Sequence, residues 1–161
     1  MNAAERLALI EQYEAGHQAI VDALAGITPA ELDAREARGE WSPREIVHHL
    51  ADSEMTSAVR LRLLVAEENP TLVGYDQEVF VANLYPERPI EPSLAAFGAA
   101  RAATAPILRL LTEEQWQRSG RHTEVGRYSV LDWLQTYAAH AHDHADQIGR
   151  ARATVVSETA D

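Results

Sequence analysis

Trp41-Ser42-Pro43-Arg44-Glu45-Ile46-Val47-His48-His49-Leu50-Ala51-Asp52-Ser53-Glu54 is the stretch on which the fold turns. It opens with a complete helix-start signal. Ser42 can cap, Pro43 suits the first helical position because no N–H is needed there, and Glu45 can close a capping box. The helix is predicted to run to about Glu67, with Ile46, Val47, Leu50, Ala51, Ala58, Leu61 and Val65 on a buried face. His49 falls on the inward side beside Ile46, Leu50 and Ser53, while His48 is rotated by about 100°.

The second informative stretch is His140-Ala141-His142-Asp143-His144-Ala145-Asp146-Gln147. Residues four apart on a helix stand above one another, so His140 and His144 share a face and His142 points to roughly the opposite side. That spacing lets two imidazoles close on one metal ion. A pair alone makes a weak site, and His49 is the candidate third ligand from another helix. Asp52, one turn beyond His49, and Asp143 or Gln147 beside the pair are positioned to fix ring tautomers. The plain alternative for each is an ordinary polar residue at a helix rim.

The remaining chain supplies scaffolding. Residues 4–25 place Ile10, Tyr13, His17, Ile20 and Leu24 at steps of three and four, an amphipathic helix ended by Gly26. His17 on that stripe reads as a hydrogen-bonded core residue rather than a ligand. Thr28-Pro29-Ala30-Glu31 starts a short turn through Leu32. Residues 68–92, carrying Pro70, Gly74, Pro86, Pro89 and Pro92, read as a long crossover with a helical turn near Asp76–Leu84. Connections of that length often line a site. A third helix is expected from Ser93, burying Leu94, Phe97, Thr104, Ile107, Leu108 and Leu111, with Pro106 kinking it or costing one backbone hydrogen bond.

Thr112-Glu113-Glu114-Gln115-Trp116 is another capped turn, and a polar link follows it. Ser129 and Asp132 then cap the last helix, whose apolar flank is Leu131, Leu134, Tyr137, Ala138, Ala141 and Ala145. It is expected to fade near Arg152 and leave 153–161 as a frayed tail. The two halves loosely repeat: helix, short Thr-started turn, aromatic-Ser cap, helix with inward histidine. Four main helices in a bundle follow, the second and fourth bearing the histidines. The long crossover argues against a simple up-down-up-down order.

A chain of 161 residues is expected to form one domain, 1–161. Acidic residues outnumber basic ones 25 to 14, giving a formal charge of −11. Such a surface repels phosphate backbones and anionic lipid, so neither nucleic acid nor membrane is an expected partner. There is no cysteine, which excludes disulfides, cysteine nucleophiles and thiolate metal sites and leaves nitrogen and oxygen ligands. The N-terminus lacks the basic and apolar regions of a signal peptide, and no apolar run approaches the ~18 residues of a membrane span. The expectation is a soluble cytoplasmic protein.

Three neutral imidazoles on a divalent ion leave a position for water or substrate. Water bound there can reach a pKa of about 7, and an incoming thiol is readily deprotonated. Without cysteine in the chain, any sulfur nucleophile must arrive as a cosubstrate. Nitrogen ligands suit zinc, nickel, copper, iron and cobalt alike.

The stretches Trp41–Glu54 and His140–Ile148 resemble the DinB/YfiT-like metalloenzymes, the first being especially similar to the YfiT branch. The likeness covers nearly the whole chain, including the proline-bearing crossover. It implies an all-α, up-down-down-up four-helix bundle, commonly a homodimer. It also implies a divalent ion, zinc or nickel, held by His49 (the histidine before Leu-x-Asp), His140 and His144. The implied activity is a metal-dependent hydrolase acting on a small molecule, or a thiol S-transferase using a low-molecular-weight thiol such as bacillithiol, mycothiol or glutathione. The competing expectation is a non-catalytic metal-binding stress-response or structural bundle, with His17, His48 or a carboxylate closing a four-ligand shell.

Overall fold

The computed structural model describes residues 1–158. Helix α1 (Ala3–Ala23) starts on an Asn2–Glu5 capping box and ends before Gly26, whose φ of 65° no β-carbon would favour. Thr28 caps α2 (Pro29–Leu32), and Ser42 caps α3 (Pro43–Ala66) through a reciprocal box with Glu45. The crossover holds β1 (Thr71–Leu72) and α4 (Gln77–Asn83), the latter capped by Asp76. Then come α5 (Ile90–Leu110), α6 (Glu113–Trp116) capped by Thr112, β2 (Ser119–His122), β3 (Gly126–Ser129) and α7 (Val130–Glu158).

Three of these differ from the expectation. Helix α5 begins at Ile90 rather than Ser93, because Pro89 occupies the cap and Pro92 the first turn, where backbone N–H groups have no helical partner to lose. Helix α7 continues past Arg152 to Glu158; of the expected frayed tail, 159–161 lie outside the described residues. The polar link is a hairpin, β2 antiparallel to β3, and β1 joins β2 in parallel with Leu72 opposite His122. A small three-stranded sheet thus buttresses one end of a helical protein.

The core shows how the four long helices run. One apolar cluster joins Ile10 of α1, Leu61 and Leu64 of α3, Leu108 of α5, and Trp133 and Leu134 of α7. The other joins Ile20, Ile46 with Leu50, Phe97, and Ala141 with Ile148. Early residues of α1 and α7 therefore share an end with late residues of α3 and α5: the order is up, down, down, up. Because α3 and α5 are parallel neighbours, and the 24 residues of α3 extend about 36 Å, the chain between them must travel back along the bundle. The long crossover is a geometric necessity.

Between the two clusters lies a polar crossbar. Arg101, 2 % exposed in its side chain, donates from Nε to Glu54 at 2.9 Å, from Nη1 to the Tyr13 carbonyl at 2.6 Å and from Nη2 to the Tyr137 carbonyl at 2.9 Å. Glu54 also accepts from the hydroxyls of Tyr13 and Ser57. A buried charge pair is tolerable only when its remaining donors and acceptors are met in this way. Gly16 makes room for it: a β-carbon there would lie 2.2 Å from Arg101 Nη1 and 2.7 Å from Ala141 Cβ.

Candidate metal centre

The capping box at Ser42 sets the phase of α3 and turns His49 inward in its second turn, where it is buried. His140 and His144 project from the facing side of α7. The Nε2 atoms of His49 and His140 are 3.2 Å apart, as are those of His140 and His144. All three ligand atoms lie within 4.8 Å of one another, the one such group of histidines and carboxylates among the described residues. The rings meet edge to face, at interplanar angles of 77°, 66° and 78°.

These residues fit a divalent ion. Tetrahedral coordination with metal–nitrogen bonds of 2.0–2.1 Å places neighbouring nitrogens about 3.3 Å apart. Metal binding also needs unprotonated imidazoles. Burial drives His49 down to about 3, helped by the charge of His144. Burial is also the main cause at His140, held well below the ordinary histidine range, and at His144, lowered despite its hydrogen bond to Gln147. The three rings are neutral at physiological pH and keep their lone pairs.

Of the polar residues placed beside the site by sequence, Gln147 reaches a ring: its Oε1 accepts from His144 Nδ1 at 2.9 Å, leaving the Nε2 lone pair to face the other imidazoles. Asp52 turns instead to Arg88, at 3.8 Å. Asp143 is exposed and makes no hydrogen bond to a ring, acting on His144 only through its charge. The Nδ1 of His140 is buried without a partner. His48 is engaged elsewhere, with Nδ1 at 2.8 Å from Ser93 Oγ and Nε2 at 3.2 Å from the Arg88 carbonyl. His142 turns to the Gln12 carbonyl of α1 at 3.0 Å. His17 packs against Phe97 and Gly98. None of these three joins the cluster.

Two residues at the centre, Trp41 and Glu78, have no role assigned from the sequence. The Trp41 ring lies 4.5 Å from that of His49 and stacks on His144 at 6.2 Å. Its position just before the Ser42 cap, where an apolar residue commonly packs back on the helix, was the available clue. Trp41 Nε1 donates to Glu78 Oε2 at 3.1 Å, which draws α4 across the histidines. Two hollows flank the cluster. A larger one of about 440 Å³ reaches from His140 to Arg60, and a smaller one of about 270 Å³ borders His144, Trp41 and Gln147. Glu78 lines both.

An up-down-down-up bundle with three convergent histidines defines a class, and the comparisons with known proteins agree with it. The DinB superfamily model matches residues 12–148, and the chain belongs to that superfamily. It is 36% identical over 119 residues to "Putative metal-dependent hydrolase OB0782" of Oceanobacillus iheyensis, covering 73% of this chain and 69% of that one. It is 33% identical over 125 residues to "Putative metal-dependent hydrolase YfiT" of Bacillus subtilis, covering 76% and 70%. The solved structure of YfiT, described as a probable metal-dependent hydrolase with an unusual four-helix bundle topology, superposes with a TM-score of 0.90 at 26% identity, over 97% of this chain and 90% of that one.

Proposed function

We propose that this chain is a metal-dependent hydrolase of small molecules in which His49, His140 and His144 hold one divalent ion, zinc or nickel, through Nε2. The observation that carries the reading is the pair of 3.2 Å separations between neutral, inward-facing ring nitrogens. The names borne by the relatives point the same way. When bound, such an ion supplies Lewis acidity, polarising a carbonyl and lowering the pKa of water toward about 7.

The protein's own groups do the rest. Gln147 holds the His144 tautomer. Trp41 walls the cluster and fixes Glu78. The Glu78 carboxylate, bordering both hollows, takes the proton from the attacking water and returns it to the leaving group. Water is consumed and an acid and an alcohol or amine are released. In a cysteine-free chain, a low-molecular-weight thiol is the other nucleophile. Its sulfur forms a bond to the electrophilic carbon as the bond from that carbon to the leaving group breaks, and the thiol proton leaves with that group. A homodimer in the cytoplasm completes the reading.

Metal analysis of untagged protein tests it. His49→Ala, His140→Ala and His144→Ala are each expected to lose bound zinc or nickel, while Glu78→Gln keeps the metal and loses turnover by about 10²-fold or more. Full occupancy in all three histidine variants overturns the assignment. Loaded protein assayed against ester and amide panels, with and without added thiols, separates hydrolysis from transfer.

A further inference from the structure

The larger hollow contains a cation without a carboxylate partner, its guanidinium lying over the Tyr75 ring at 5.9 Å. Arg60, on α3, reaches its wall between Tyr75 and Tyr137, and the same space ends at His140. Its Nη2 donates to the Val73 carbonyl, but its Nε is buried without a partner. Among the described residues no carboxylate lies within ion-pair distance of it. The two fully buried arginines are ion-paired, Arg101 with Glu54 and Arg6 with Glu113. Arg62 and Arg118, half-buried like Arg60 and also without a carboxylate, bond carbonyls or Thr104 and leave no buried N–H unpartnered. A half-buried guanidinium that lines an open cavity without a carboxylate partner is stabilised when one arrives, and the fork of an arginine matches a carboxylate in shape as well as charge.

The surroundings favour the same occupant. The Tyr137 hydroxyl faces Ser53 and Arg60, and the Tyr75 hydroxyl faces Ser53. A phenol is protonated at neutral pH, so each hydroxyl can donate. Outside this deep pocket of donors the mouth is acidic, with Asp76, Glu78 and Glu124 all exposed around it. That ring repels a polyanion such as a phosphate ester and accepts a molecule that is neutral or cationic beyond its one negative group. At about 440 Å³ the space suits a small metabolite.

We infer that Arg60, with Tyr75 and Tyr137, forms a carboxylate subsite, so that the substrate is a small molecule bearing a single carboxylate, anchored at Arg60 and directing its opposite end to His140. This rests on the hydrolase reading for the substrate's fate but not for its binding. The test therefore uses metal-free protein, prepared by chelation.

N-acetylglycine and its neutral amide are titrated into the full chain. The acid is expected to bind at millimolar concentration, the amide at least tenfold more weakly, and Arg60→Met to lose the difference while melting as the parent does. In case that variant misfolds, the arginine Nε–H resonances of the unaltered protein give a second readout. One arginine signal, assigned to Arg60 through Arg60→Lys, should shift with the acid and not with the amide. Equal binding of acid and amide, or a shift at some other arginine, overturns the inference. With metal restored, p-nitrophenyl hydrogen succinate should be hydrolysed at least tenfold more efficiently than p-nitrophenyl butyrate in the parent but not in Arg60→Met. If neither ester turns over while the acid still binds through Arg60, the hydrolase reading fails and the carboxylate subsite stands.

Discussion

Gln147 does more for the centre than its amide suggests. By accepting the Nδ1–H of His144 at 2.9 Å it decides which nitrogen of that ring can bind a metal. Gln147→Ala should leave the fold intact and weaken zinc or nickel affinity by about 10–100-fold, read by competition with a chromophoric chelator. An unchanged affinity would mean the tautomer is set elsewhere. The depressed histidines also make acid the natural enemy of the metal-free protein. With His49 held near 3 in the fold by burial and near its ordinary value in the unfolded chain, unfolding takes up a proton below about 6.5. Stability is full above that pH and falls as pH drops toward 3, by up to about 1.4 kcal/mol per pH unit from this ring alone. Urea midpoints of chelated protein at pH of about 7 and about 5.5 check it; a flat profile, or an equal slope in His49→Phe, refutes it. At this scale the sequence was partly legible. Helical spacing brought out His49, His140 and His144, because periodicity reports which side chains share a face. It could not bring out Arg60, Tyr75 or Glu78, since their place at the site depends on how the crossover lies across the bundle.

The long helices announce themselves through their caps. Asn2, Thr28, Ser42, Asp76 and Thr112 all accept from the N3 backbone N–H, and three of those five, Thr28, Ser42 and Thr112, are legible from local spacing alone. The small sheet was not legible, because β1 has two residues and β2 and β3 four each, with polar side chains and no alternation to betray them. Prolines misled for a related reason: Pro89 and Pro92 punctuate a loop in sequence yet sit where a helix start tolerates them. Helix packing makes its own prediction at Gly16. Adding a methyl group there forces α1 away from both Arg101 and Ala141, so Gly16→Ala should destabilise by about 2–3 kcal/mol despite its better helix propensity. Chemical denaturation measures this, and a loss under about 0.5 kcal/mol would show that the Arg101 crossbar can shift freely.

Across the whole molecule, stability and chemistry are separable. Both apolar clusters and the Arg101–Glu54 crossbar close without the three imidazoles. Chelation at free metal of about 100 times Kd should therefore remove only about 2.7 kcal/mol, roughly 5–10 °C in Tm, with helicity at 25 °C retained. Collapse of the circular dichroism signal on chelation would instead mark the ion as structural, as in a non-catalytic bundle. No described helix is long and apolar enough to cross a membrane. A last consequence follows from the 91 positions that separate His49 from its nearest partner at the centre. A chain still on the ribosome owns one imidazole of the trio until α7 emerges, so nothing in the nascent polypeptide can chelate as the finished site does. Any metal held by all three rings must therefore wait for the last helix to be synthesised, and is drawn from whichever cation the surrounding fluid then offers.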